Sequence, residues 1–173
     1  MKEKRSSSTE QFYDTVQSPI GTLYLILSGK SLSGIDFIRP DRIMGKGKAP
    51  APIQKELKDF FEHGIEEFTL TIVFTKGTDF EKRVWLALKE IPFGETRTYK
   101  WLAEKLGKPN ASRAVGQALS KNPLPIVLPC HRVIESDGSM GGYSGGVDIK
   151  RRLLEIEYYL KQEKKNYPST SSG

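Results

Sequence analysis

Residues 99–121 read YKWLAEKLGKPNASRAVGQALSK, and this stretch decides how the C-terminal half of the chain is built. Tyr99 to Leu106 and Ala111 to Lys121 each carry helical spacing, and Gly107-Lys108-Pro109-Asn110 breaks between them. Asn110 is placed to cap the second segment by accepting a backbone N–H. Two short helices joined by a tight glycine-containing turn resemble a helix-turn-helix, a shape also met in helical hairpins that never touch nucleic acid. The charge around this motif is one-sided: Arg97, Lys100, Lys105, Lys108, Arg113, Lys121 and Arg132 stand against a single acid, Glu104. That segment accounts for the whole net charge of +6. A basic cluster is the electrostatic footprint of a nucleic-acid partner, and a merely solvated surface is the competing explanation.

On the N-terminal side, Thr78-Asp79-Phe80-Glu81 is a capping-box pattern opening a helix with Phe80, Val84, Leu88 and Ile91 on one stripe. Pro92-Phe93-Gly94 stops it. Lys76-Gly77 marks a boundary, before which the pattern changes. Phe12 to Val16, Thr22 to Leu27 and Ser33 to Ile38 read as strands, with Pro19 and Gly21 as a turn. Residues 45–52 are loop, Ile53 to His63 is a helix, and Phe68 to Phe74 returns to strand. The fold class is therefore α+β: a small antiparallel-sheet domain over residues 11–77, then a mainly helical domain over 78–160 with a helix-turn-helix. Residues 1–10 read as a flexible N-terminus. Residues 138–146, with five glycines, read as a loop, and Asp148 to Leu160 as the last helix. Lys161 to Gly173 reads as a frayed polar tail.

Composition narrows the class. With 37% hydrophobic and 28% charged residues in 173, the chain has the balance of a soluble globular protein. It has no apolar run of membrane-spanning length and no secretory leader at Met1 to Glu10, so the cytoplasm is expected, or the nucleus in a eukaryote. One cysteine, Cys130, excludes an internal disulfide and a multi-cysteine zinc site. A lone cysteine is often just a small buried hydrophobe.

Its neighbours argue otherwise. In Asn122-Pro123-Leu124-Pro125-Ile126-Val127-Leu128-Pro129-Cys130-His131-Arg132-Val133-Ile134, three prolines fix an extended backbone that delivers Cys130 beside His131 and Arg132. A base or positive charge nearby favours the thiolate, the nucleophilic form. Adjacent side chains often point apart, so adjacency alone proves no hydrogen bond. On the last helix Leu153, Glu157 and Leu160 share one face, and a carboxylate in an apolar stripe is costly unless paired. An imidazole that activates a thiol would pair it, giving a Cys130–His131–Glu157 relay; the alternative leaves Glu157 at the stripe's edge with water or Arg152.

The run Pro129-Cys130-His131-Arg132-Val133 resembles the active-site signature of the O6-alkylguanine-DNA alkyltransferases. The resemblance extends from near Phe80 to Glu157 through Phe93-Gly94-Glu95, Tyr99, Arg113-Ala114-Val115-Gly116, Asn122-Pro123 and Tyr143-Ser144-Gly145-Gly146, with matching spacings. Ser18-Pro19-Ile20-Gly21 is similar too, more weakly. The resemblance implies a ribonuclease-H-like N-terminal sheet. It makes Cys130 the acceptor of an alkyl group from O6 of guanine, in one irreversible turnover. O4 of thymine is a further substrate it leaves open. His131 is implied as base through a bridging water, Glu157 as its orienting partner, Asn122 as the brace of the active-site turn, and Tyr99 as donor to the departing guanine.

The same resemblance implies a minor-groove interface. Arg113 fills the space of the extruded nucleotide, from a helix whose Ala111, Ser112, Ala114 and Gly116 approach the DNA closely. Tyr143 and Ser144 belong to a loop closing over the base, and Arg132 is counted among the DNA-facing residues. Ordinary phosphate contact is the competing role for Arg113, and core packing for Tyr99. The implied partner is double-stranded DNA bearing O6-alkylguanine, bound by a monomer away from membranes. No metal or organic cofactor is expected; the N-terminal part has only His63 to offer a zinc. Three rivals stand beside this reading. A binding-only relative would lack the cysteine. A transcription regulator would have to use this same domain. A cysteine hydrolase would need an oxyanion hole and would leave the basic helix pair unexplained.

Overall fold

The computed structural model describes residues 10–41 and 43–168; the expectation for residues 1–9, and for the end of the tail beyond 168, lies outside the described residues. It is a mixed α+β chain built on a small, mainly antiparallel sheet and five helices. The sheet has strand order β3-β2-β1-β4, made of β1 (Gln11–Ser18), β2 (Gly21–Ser28), β3 (Ser31–Asp36) and β4 (Gly45–Lys46). β1 and β2 form a hairpin through Pro19 and Ile20, in the register Ser18 to Gly21 and Gln11 to Ser28. Alternation buries Val16, Leu23, Leu25 and Leu27. Against this face packs α1 (Ala51–His63), burying Ile53, Leu57, Phe60 and Phe61, the stripe its spacing predicts.

One expected strand is missing. Residues 68–74 join β3 by a single parallel bridge, Leu32 to Ile72, with Leu32 and Val73 as backbone donors. The cause is the Glu56 carboxylate on α1, which accepts from the backbone N–H groups of Thr69 and Leu70 at 3.0 Å. Backbone donors held by a helix side chain are not free for a ladder.

The helical half begins at Thr78, whose side chain accepts from Glu81 N at 3.1 Å while the Glu81 carboxylate accepts from Thr78 N. That capping box opens α2 (Asp79–Ala87). The helix tightens into a 3-10 turn at Leu88–Glu90, because Pro92 pushes Ile91 into the extended region. Phe80 is half-buried under Lys108, and Trp85 replaces it on the fully buried face. The Trp85 indole N–H donates to Ala118 O at 2.7 Å, which fixes α4 (Ser112–Ser120) against α2. Between them run β5 (Arg97–Thr98) and α3 (Tyr99–Lys105). Asn110 does not cap α4: Ala111 holds the cap position without a side-chain bond, since residues 108–111 close a turn of their own through Ala111 N to Lys108 O.

β6 (Val133–Ile134) pairs parallel with β5, right after the reactive segment. α5 (Val147–Asn166) closes the fold and runs six residues past the expected Leu160. Lys164 explains the extension, donating to Gly64 O at 3.2 Å and lying over the Phe93 ring. Apolar side chains from both halves form one buried cluster. Among the described residues no helix is long and apolar enough to cross a membrane.

Candidate active site

Cys130 opens a 3-10 turn, Cys130–Arg132, whose three side chains are all buried. The approach to it is strained. Ile126 is fully buried with φ of +77°, a conformation that a β-branched residue adopts at a cost of about 1–3 kcal/mol. Asn122 holds the turn around it: its Oδ1 accepts from Leu124 N at 3.0 Å and its Nδ2 donates to Leu128 O at 2.8 Å. Both ends of the Asn122 amide are thus bonded to backbone of this turn.

Behind the thiol, Glu157 collects three partners. His131 Nε2 bonds to Glu157 Oε2, Arg132 Nε donates to Oε1 at 2.7 Å, and Gly94 N donates to the same oxygen at 3.1 Å. Burial pushes the Glu157 carboxyl up, but His131, Arg132 and the backbone N–H together bring it below its ordinary value. Burial pushes His131 down, outweighing the attraction of Glu157, with the Arg132 and Lys150 cations adding to it. Arg132 is the lasting counter-ion of this cluster, so Glu157 is ionised and His131 neutral. The tautomer follows: Nε2–H donates to Glu157 and Nδ1 carries the lone pair. Nδ1 is buried and has no protein partner.

The thiol itself is pushed up to about 11 by burial, against the pull of the Asn122 amide and the Lys150 ammonium. Lys150, fully buried on α5, donates to Val133 O at 2.6 Å and to the carbonyls of Met140 and Gly142. It anchors the glycine-rich loop to the reactive segment. Lys150 is absent from the residues expected at the site, although it precedes Leu153 and Glu157 on the same stripe at spacings of three and seven.

A cavity of about 660 Å³ opens in front of Cys130. It is lined by Tyr99, Ser112, Arg113, Gly116, Tyr143 and Ser144, all expected from the sequence, and also by Glu135, Gln117, Leu119, Ser120 and Gly142. Gln117 and Ser120 continue the face of Arg113 and Gly116 at a spacing of four, a signal present in the sequence. Tyr99 sits at the first position of α3, beneath Thr98, which accepts from Trp101 N. Burial, with Glu135 and Cys130 nearby, raises the Tyr99 hydroxyl, so it keeps its proton. A Cβ at Gly141 would lie 2.7 Å from Tyr99 Oη, and φ there is +66°; the loop passes the phenol only as glycine. Tyr143 Oη is buried close to the sulfur, without a hydrogen bond of sound geometry.

The sequence of residues 79–159 matches the family profile described as 6-O-methylguanine DNA methyltransferase, DNA binding domain. Over 158 residues the chain is 44% identical to the methylated-DNA–protein-cysteine methyltransferase of Methanosarcina barkeri, covering 84% of this chain and 96% of that protein. The chain belongs to this methyltransferase family. The crystal structure of Mycobacterium tuberculosis O6-methylguanine methyltransferase is 40% identical, with a TM-score of 0.79 over 86% of this chain and 93% of the other. A second structure of the M. tuberculosis protein, in complex with DNA, matches with the same TM-score.

Set within this methyltransferase family, one expectation changes. Arg132 does not face DNA: it is buried, bonded to Glu157 and through Nη1 to Ile91 O at 2.7 Å, and lies over the Phe93 ring. A guanidinium with these partners is the charge complement of Glu157, and its burial leaves little of it to meet a phosphate. Arg152, the other suggested partner of Glu157, is exposed. The small residues of the second helix lie on two sides of it. Val115 and Ala118 pack inward, Ala114 is exposed beside Arg113, and Ala111 lies at the helix entry, outside the cavity lining. His63 lies with Asp59 and Glu62, their ligand atoms within 4.8 Å of one another, in a largely exposed group where Asp59 already binds Lys55.

Proposed function

We propose that the DNA alkyl-transfer repair for which this family is named runs in this chain through Cys130, once per protein molecule. The observation that carries the proposal is the buried His131–Glu157 bond, made by the residue next to Cys130, with Cys130 itself lining an open cavity. At rest the thiol is protonated, held so by burial. His131 Nδ1, neutral and unpartnered, is the base that takes its proton through a water, while Glu157 stabilises the imidazolium that forms. The Lys150 ammonium and Asn122 amide stabilise the thiolate.

The thiolate attacks the alkyl carbon; the C–O6 bond breaks and its electron pair leaves with guanine. Tyr99, which keeps its proton, hydrogen-bonds the departing base, and the proton lost by the thiol ends on it. The thioether left on Cys130 has no good leaving group, so the protein is consumed. No cofactor enters this balance.

The lesion must leave the helix to reach a buried sulfur, at a cost of a few kcal/mol. Arg113 fills the gap in this reading, which its exposure on α4 and its position in the cavity lining support. The exposed Ala114 and the small Ser112, Gly116 and Ser120 let this helix approach a minor groove closely. The helix-turn-helix reading of α3 and α4, a ribonuclease-H-like N-terminal sheet, a domain boundary near residue 77, action as a monomer and a cytoplasmic or nuclear location belong to the same proposal. Repair of O4-alkylthymine fits the same displacement chemistry.

The test is a titration of protein with excess duplex carrying O6-methylguanine. Demethylated guanine should stop accumulating at one equivalent per protein. Release beyond one equivalent would contradict the proposal.

A further inference from the structure

Nothing in the sequence assigns the N-terminal sheet a role in chemistry. Yet β3 reaches the reactive segment directly: Ile35 N donates to Pro123 O at 2.9 Å, next to Asn122. Two residues on, the half-buried Phe37 packs its ring against Tyr143, with centroids 6.2 Å apart and planes tilted by 53°. The ring also rests on bare backbone. A Cβ at Gly145 would lie 2.7 Å from Phe37 Cε2 and 3.1 Å from Tyr143 Cε1.

The loop at 143–145 is a thin wall. Tyr143 and Ser144 line the reactive cavity on one side, and Phe37, Ser144 and Gly145 line a second cavity of about 540 Å³ on the other. A glycine-rich loop resists displacement poorly by itself. Lys150 pins its start, at Met140 and Gly142. At Tyr143 the packed side chain behind the wall is Phe37.

We propose that Phe37 is a specificity-determining positioning residue: it props the Tyr143–Gly145 wall and so sets the width of the pocket that receives the alkyl group. This rests on the alkyl-transfer reading of Cys130. Phe37 touches no reacting atom and acts through Tyr143. With the prop removed the wall can retreat. A bulky group then gains room, while a methyl group loses the close contact that aligns it with the sulfur.

The experiment compares single-turnover rate constants on duplexes carrying O6-methylguanine or O6-benzylguanine, for the wild-type chain, Phe37→Ala, Phe37→Leu and Gly145→Ala. In Phe37→Ala the benzyl-to-methyl ratio should rise about tenfold, a size set by the sensitivity of displacement to small misplacements. Phe37→Leu should return most of the way to the wild-type ratio. Gly145→Ala, whose new methyl presses Phe37 and Tyr143 apart, should lower the ratio and keeps the idea testable if Phe37→Ala folds poorly. A merely structural role would slow both substrates alike. An unchanged ratio in Phe37→Ala and Gly145→Ala, with an active wild type, overturns this proposal alone. A wild-type chain that transfers neither group overturns the alkyl-transfer reading beneath it.

Discussion

The two halves of the molecule bury different things. Up to residue 77 the interior is apolar, with Asp14 and Ser33 the polar side chains buried among the described residues. Asp14 holds the fold together locally: it accepts from Ala49 N at 2.8 Å and Gln54 Nε2 at 2.7 Å, tying β1 to the start of α1. Beyond residue 77 the buried polar set, among the described residues, is Asn122, His131, Arg132, Lys150 and Glu157: His131 and Arg132 are both bonded to Glu157, and Asn122 and Lys150 hold the segment that carries Cys130. Burying charge is costly unless every group is paired. A fold that concentrates this cost in one place, around a thiol, is organised there for chemistry. The apolar half shapes that place from outside, through Ile35 and Phe37.

The sharpest way to break this contrast is to remove the shared anion. Glu157→Ala leaves Arg132 buried without a counter-charge and should lower the unfolding free energy by about 4 kcal/mol in urea titrations. Loss of under a kcal/mol would show that the buried charges are better solvated than the geometry implies. Lys150→Met comes next. It strands the Val133, Met140 and Gly142 carbonyls and should cost about 2 kcal/mol, because part of the loop can turn to water. It should also move the Cys130 titration, followed by thiolate absorbance, further up. Smaller again is Arg113→Ala, which should weaken binding to lesion duplex by about 1–2 kcal/mol with the thermal midpoint unchanged. Asp14→Asn, the counterpart in the apolar half, should cost about 1 kcal/mol and leave alkyl transfer untouched.

The buried groups around the thiol also shape the pH profile of stability. His131 is held below its ordinary 6.5 and Glu157 below 4.5, so each contributes stability that is present above those values and lost as pH falls through the folded ones. Cys130 runs the other way. Its value is raised from 9.0 to about 11, so its contribution is complete below pH 9.0 and lost as pH climbs through about 11. Unfolding free energy should therefore decline on both flanks, and Cys130→Ser should flatten the alkaline flank only. An alkaline flank unchanged in Cys130→Ser would contradict the buried neutral thiol.

What the sequence made legible was local. The capping box at Thr78, the stripe of α1 and the helical spacing of Leu153 and Glu157 are set by neighbours a few residues apart, and each stands in the structure. Cys130, His131 and Asn122 could be singled out because they lie in one continuous segment. What stayed hidden depends on contacts made across the fold. The strand expected at 68–74 gave way to Glu56, a side chain thirteen residues earlier. Arg132 looks like a surface cation until Glu157 and Ile91 enclose it. Lys150 reads as one more solvated lysine, because three carbonyl partners from a loop and a strand cannot be seen in composition. Phe37 meets Tyr143 only after the sheet docks on the helical half.

At the centre of the proposed chemistry, the alkyl group ends on Cys130 and stays there. The most direct measurement is the intact mass of the protein after incubation with excess O6-methylguanine duplex, followed by peptide mapping. The expected result is a chain heavier by one methylene, with the gain located on Cys130 and absent from Cys130→Ser. An unmodified Cys130 in a protein that still binds the lesion tightly would contradict it.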